Sequence, residues 1–139
     1  MAAASPTKKA SVIITLVTIM LLLLASCSQG DGVPVTVWCN ANSYYIDDPY
    51  SVSVVYMLQM LLNYTPWVSG HDIYKSFTHN GATAYGHATC SPAVDTSVCE
   101  ACLSFVFHQA TTICDRKVGA RVVYVDNCTV RYENYAFTD

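Results

Sequence analysis

A chain of 139 residues with 53% apolar content is long enough for one domain with a buried core. Seven basic against ten acidic side chains give a formal net charge of −3. That balance sets aside partners that need a cationic surface, both nucleic acid and anionic lipid bound by a basic amphipathic helix.

Lys8 and Lys9 precede an apolar run from Ser11 to Ala25, which leads into small residues. This is the n-region, h-region and cleavage-site order of a secretory signal peptide. The expected leader is residues 1–28, cut between about 25 and 32, leaving a secreted, extracellular domain over residues 33–139. A permanent membrane anchor needs about 20 apolar residues, and this run is shorter. Leu24-Ala25-Ser26-Cys27 also fits a bacterial lipobox, in which Cys27 would carry lipid; the rest of the chain argues against that origin. Cleavage after Cys27 turns seven cysteines into six, Cys39, Cys90, Cys99, Cys102, Cys114 and Cys128, and an even number in an exported chain reads as disulfides. Losing Lys8 and Lys9 leaves five basic side chains against ten acidic ones, near −5.

From Val33 to Asn40 the chain alternates like a strand, with Val35, Val37 and Cys39 on one face and Asn40 on the other. Asp48 before Pro49 predicts a helix start, the acid as N-cap and the proline at the first helical position. Val54, Met57, Leu58, Leu61 and Leu62 then form the stripe of a helix laid on a core, ending near Asn63 because Pro66 follows. Trp67 to Gly70 reads as a loop. Residues 72–79 and 82–89 flank Asn80-Gly81, a strong hairpin signal. Ser97 and Glu100 have the spacing of a capping box, opening a helix with a predicted buried stripe of Cys99, Cys102, Leu103, Val106, Ala110 and Ile113. Gly119 ends that segment. Residues 121–125 and 128–133 read as strands around a turn at Asp126-Asn127. The expected fold class is α+β, two helices packed on a roughly five-stranded antiparallel sheet, without internal repeats.

Several chemistries are weighed against plainer explanations. Cys99 and Cys102 have the spacing of a redox dithiol at a helix N-terminus or half a zinc site. No second C-x2-C or H-x3-H exists, and His71, His79, His87 and His108 are scattered. No metal, no cofactor and no enzymatic activity is therefore expected, and hydrolase and phosphate-loop motifs are absent. His71-Asp72 reads as a loop pair, and Asp47-Asp48 is explained by helix capping. Two glycosylation sequons occur, at Asn63 and Asn127. Ten tyrosines and two tryptophans are compatible with sugar stacking, although sheet and core roles account for most such residues.

The spacing C-x8-C-x2-C over Cys90, Cys99 and Cys102, preceded by Ala84-Tyr85-Gly86-His87-Ala88-Thr89 and followed by Gly119-Ala120-Arg121-Val122, resembles the ginkbilobin family. These are plant cysteine-rich secreted antifungal domains, also found in pairs in the ectodomains of cysteine-rich receptor-like kinases. The resemblance runs from Cys39 to Phe137. Six cysteines allow fifteen pairings; the family's arrangement implies Cys39 with Cys114, Cys90 with Cys99, and Cys102 with Cys128. It also implies mannose binding through Asn40, Arg121 and Glu133. A hexose presents hydroxyls that both donate and accept; an Asn amide does both, an Arg fork donates and a Glu carboxylate accepts. Strand parity puts Asn40 and Glu133 outward if Cys39 and Cys128 point inward.

Compared with the mannose-binding pattern, the chain carries an extra residue near Asn127, which must sit in the turn or form a bulge. The resulting expectation is a secreted, apoplastic, monomeric or weakly associating lectin of plant defence that binds mannose-containing glycans of the fungal cell wall. The alternative is a protein-interaction module in defence or wall signalling without sugar binding. A thiol oxidoreductase at Cys99 and Cys102 is a third, weaker reading.

Overall fold

The computed structural model of the chain describes residues 34–125 and 127–139. The expected leader, Cys27, the cleavage region and Asp126 lie outside the described residues. In chain order come β1 (Val35–Cys39), α1 (Pro49–Tyr64), short 3-10 turns at Thr65–Trp67 and Ser69–His71, β2 (Asp72–His79), β3 (Ala82–Cys90), α2 (Thr96–Ile113), β4 (Ala120–Tyr124) and β5 (Cys128–Glu133). The sheet runs β1-β4-β5-β3-β2, with every neighbouring pair antiparallel. This is the α+β architecture that the sequence predicts.

Helix α1 starts as expected: Asp48 Oδ1 accepts the Tyr50 N–H at 2.8 Å, with Pro49 in the first turn. Val54, Met57, Leu58 and Leu61 are buried, and Leu62 is half-buried against them. The Thr65 hydroxyl donates to the Leu61 carbonyl at 2.6 Å, and Pro66 has no N–H with which to continue the helix. The expected loop at 67–70 is largely two 3-10 turns, and Asp72 opens β2 instead of lying in a loop with His71.

The Asn80-Gly81 hairpin forms where the sequence places it. Both residues have positive φ, 46° and 82°, as a turn that matches the strand twist requires. On β3, Gly86 lies directly under α1. A Cβ there would run into Met57 Sδ and come within 2.8 Å of Leu61 Cδ1.

The start of α2 differs from expectation. Ser97 and Glu100 form no capping box; Asp95 is the N-cap and the helix begins at Thr96. Asp95 Oδ1 accepts the Val98 N–H at 2.9 Å, and the Ser97 hydroxyl donates to the same oxygen at 2.7 Å. An ionised carboxylate accepts more strongly than a hydroxyl, so Ser97 supports the cap instead of forming it. These bonds, the Val98 N–H first, hold the Asp95 carboxyl below its ordinary range. At the other end Ile113 is 55% exposed and leaves the predicted stripe, because the helix ends there and Cys114 turns inward in its place. Phe107, outside that stripe, is buried.

Both helices cover one face of the sheet. Helix α1 lies over β2 and β3, and α2 over β4 and β5; Ala84, Ala88, Val122, Val130 and Tyr132 rise from the sheet to meet them. Burying each large apolar side chain contributes about 1.5–3 kcal/mol. The Tyr50 and Tyr132 hydroxyls donate to the carbonyls of Val118 at 2.7 Å and Lys117 at 3.3 Å, so neither is buried unpaired. Burial pushes both hydroxyls above the ordinary tyrosine range.

Three disulfides join the pairs that the family resemblance implies. Cys39–Cys114, Cys90–Cys99 and Cys102–Cys128 have Cα separations of 5.4, 5.7 and 6.1 Å. They tie β1 to the end of α2, β3 to its first turn, and the middle of α2 to β5. Cys99 and Cys102 are thus held in two different bridges. No helix among the described residues is long and apolar enough to cross a membrane.

Candidate functional site

With one sheet face under the helices, every second residue of each strand projects from the other face. The register sets Trp38 of β1 opposite Arg121, Arg121 opposite Arg131, Arg131 opposite His87, and His87 opposite Tyr74. One row of aromatic and cationic side chains therefore crosses all five strands. Their neighbours in sequence, Val37, Val122, Val130 and Ala88, pack into the core.

Asn40, Arg121 and Glu133 meet at one end of this row. They line a single open depression of about 390 Å³ together with Trp38, Ala120 and Arg131. Asn40 follows β1 directly, and its N–H bonds the Gly119 carbonyl at 2.8 Å. Its Oδ1 accepts the Asn42 N–H at 3.0 Å, and its Nδ2 donates to Glu133 Oε2 at 3.2 Å. The second amide proton stays available. Glu133 closes β5 and is 9% exposed; its Oε1 receives Nε and Nη2 of Arg131, both at 3.4 Å. Arg121 is exposed, and among the described residues it has no ion pair. The constellation thus offers one open guanidinium, one amide proton and the remaining lone pairs of a fixed carboxylate.

Two backbone features make this geometry. Gly119 lies just before β4 beside Glu133, and a Cβ there would run into Glu133 Oε2 and lie 2.9 Å from the Tyr132 carbonyl oxygen. Only a missing side chain lets the carboxylate lie across the strand to reach Asn40. The extra residue near Asn127 falls in the turn: pairing runs unbroken from Ala120↔Tyr132 to Tyr124↔Cys128, and the Asn127 N–H bonds the Tyr124 carbonyl at 3.1 Å. No bulge reverses the facing, so Arg121 and Glu133 share the outer face.

Sequence reasoning missed the brace behind Glu133. Arg131 Nη1 donates to Asp139 Oδ1 at 2.7 Å, Nη2 to the Tyr135 hydroxyl at 3.4 Å, and the guanidinium lies 4.2 Å from the Phe137 ring centroid. Residues 135–139 thus come back over the outer face. Asp139 Oδ2 also meets His87 Nδ1 at 2.9 Å, while Asp72 Oδ1 meets His87 Nε2 at 3.0 Å. Burial alone would raise the Asp139 carboxyl, but the bonds from His87 and Arg131 outweigh it and hold it below the ordinary range. The available signal was parity: Arg131 is two residues before Glu133, and Trp38 two before Asn40, each on the same face.

Two other depressions differ in character. One of about 390 Å³ at the far end of β4 and β5, beside Pro92 and Asn127, has no charged side chain in its lining. A larger one, about 600 Å³, lies on the outer side of α1 and is mostly apolar, with Ile46, Val55 and Tyr56. The depression at Asn40 joins three charged side chains, Arg121, Arg131 and Glu133, to the exposed Trp38.

Fold and surface together define a small cysteine-rich α+β domain, stapled three times, with a polar constellation on its open sheet face. Residues 38–135 match the salt stress response/antifungal family, and the chain belongs to it. It is 37% identical over 101 residues to the antifungal protein ginkbilobin-2 of Ginkgo biloba, covering 71% of this chain and 74% of that protein. Against the antifungal protein ginkbilobin-like protein of Picea abies it is 35% identical over 101 residues, covering 71% and 91%. The tandem DUF26 ectodomain of the Arabidopsis thaliana cysteine-rich receptor-like protein PDLP8 shares the fold, with a TM-score of 0.67 at 20% identity over 73% of this chain. The chain spans about half of that ectodomain, 49% of its length.

Proposed function

We propose that this chain is a secreted, extracellular lectin of plant defence that binds mannose-containing glycans of the fungal cell wall and restrains fungal growth. The observation that carries this reading is the joining of Asn40 to Glu133 at 3.2 Å in the depression that Arg121 also lines. Vicinal sugar hydroxyls need donors and acceptors side by side, and these three side chains supply both. Similarity to antifungal ginkbilobin proteins supports the same reading. The function needs no catalytic step: the groups are arranged to hold hydroxyls, and the cysteines are engaged in bridges. A shallow site with few polar groups binds a monosaccharide weakly, with Kd of about 1 mM, and gains strength on a mannan surface through multivalency. A glycan array probed with the secreted protein tests this. Mannose-terminated glycans are expected to dominate, and a flat profile would overturn the reading.

The alternative, a protein-interaction module in defence or wall signalling, is favoured by one observation. Tyr45, Ile46, Val55 and Tyr56 are exposed at 84%, 75%, 52% and 51%, an apolar strip on and beside α1, away from the polar depression. A protein that binds a wall protein but no glycan, and loses that binding on Ile46→Asp, would support this second function.

A further inference from the structure

A pyranose has two chemically different aspects, a rim of hydroxyls and a face of C–H bonds. Asn40, Arg121 and Glu133 serve only the rim. Sugar sites cover the C–H face with an aromatic ring, which takes it out of water at little entropic cost because the ring is rigid.

Exposed aromatics elsewhere mostly have partners. Tyr56 stacks on Phe77, Tyr64 lies beneath Lys75, Tyr74 stacks on His87 and Phe105 meets Tyr124 edge-on. Tyr135 bonds Arg131 through its hydroxyl. Trp38, Tyr45 and Trp67 are exposed at 54%, 84% and 74%, with no ring stacking or cation–π partner among the described residues. Of these three, only Trp38 lines the polar depression. Strand geometry places it there twice over: it shares a face with Asn40, two residues on, and it pairs directly with Arg121. Edge strand β1 is held by the Cys39–Cys114 bridge next to it, so the indole projects from a fixed backbone.

We propose that Trp38 is the stacking wall of this site, covering the C–H face of a hexose whose hydroxyls are held by Asn40, Arg121 and Glu133. This rests on the sugar-binding reading. The ring makes the site selective for pyranoses with an unbroken C–H face, and it supplies most of the apolar part of the affinity.

The two tryptophans of the chain make the test direct. In Trp67→Phe, prepared as the full chain through a eukaryotic secretory pathway, Trp38 alone emits. Titration with methyl α-mannoside is expected to shift and quench that emission, saturating at the Kd found by calorimetry. Trp38→Ala should weaken mannoside binding about tenfold, and Trp38→Phe should recover most of the loss. A free-thiol count of zero together with a cooperative denaturation transition shows that each variant has folded. If Glu133→Gln loses binding while Trp38→Ala binds within about twofold of wild type and the emission stays still, Trp38 is not the wall and the sugar site stands without it. If the unaltered protein binds no mannoside, the reading beneath fails and this inference with it.

Discussion

The two faces of the sheet are built from alternating residues of the same strands, yet they are held in different ways. The inner face is redundant: Val122, Val130, Tyr132 and Ala88 sit among many apolar neighbours from both helices. The outer face is held by directional polar bonds, with Asn40 on one oxygen of Glu133 and Arg131, itself tied to Asp139 and Tyr135, on the other. Substitution inside should therefore lower stability and leave recognition intact, while truncation of an outward side chain at the site should chiefly weaken recognition.

The largest effect should come from the bridge that serves both faces. Replacing Cys39 and Cys114 together by alanine opens a loop of 75 residues, which costs about 4.5 kcal/mol in the chain-entropy model. Chemical denaturation is expected to show that loss, and glycan binding should weaken as well, since β1 carries Trp38 and Asn40. An unchanged midpoint would mean that β1 is held by its pairing with β4 alone.

Next comes a change confined to the inner face. Leu61→Ala removes a fully buried side chain and should cost about 3 kcal/mol, with mannoside Kd unchanged in the fraction that remains folded. A matching loss of affinity would show that the faces are coupled.

Gly119→Ala sharpens the comparison from the other side. A methyl group there displaces the Glu133 carboxylate, costing about 1–3 kcal/mol in stability and breaking the bond to Asn40. Calorimetry should find mannoside binding at least tenfold weaker; unaltered affinity would show that Glu133 need not meet Asn40.

The smallest effect is on pH. The Asp95 and Asp139 carboxyls are both held below their ordinary range, so what they contribute is present above the unfolded carboxylate value of about 3.9. It is lost as pH falls through their lower folded values. Thermal stability should stay flat from neutral pH down to about 4 as far as these two groups decide it, then fall. Asp95→Asn and Asp139→Asn should each make that acid fall shallower.

The inner face was legible because period does the work there. The stripe from Val54 to Leu61 and the hairpin at Asn80-Gly81 need no knowledge of partners. The two errors on α2 lay at its ends, where Asp95 caps the helix two residues ahead of Ser97 and Cys114 replaces Ile113. The outer face was legible only as positions. Parity and resemblance named Asn40, Arg121 and Glu133, but neither could show Gly119 clearing a path for the carboxylate. The return of residues 135–139 to Arg131 and His87 was also out of reach, because such contacts depend on segments far apart in sequence, with no periodic pattern to announce them.

Arg121→Ala tests the central claim most directly. Arg121 is exposed and has no ion pair among the described residues, so its removal should change stability by no more than about 0.5 kcal/mol. Binding of the folded variant to fungal mannan, measured beside the wild type, is expected to fall at least tenfold. If the variant keeps its three bridges and binds mannan as the wild type does, the outer-face site is not where this protein holds sugar.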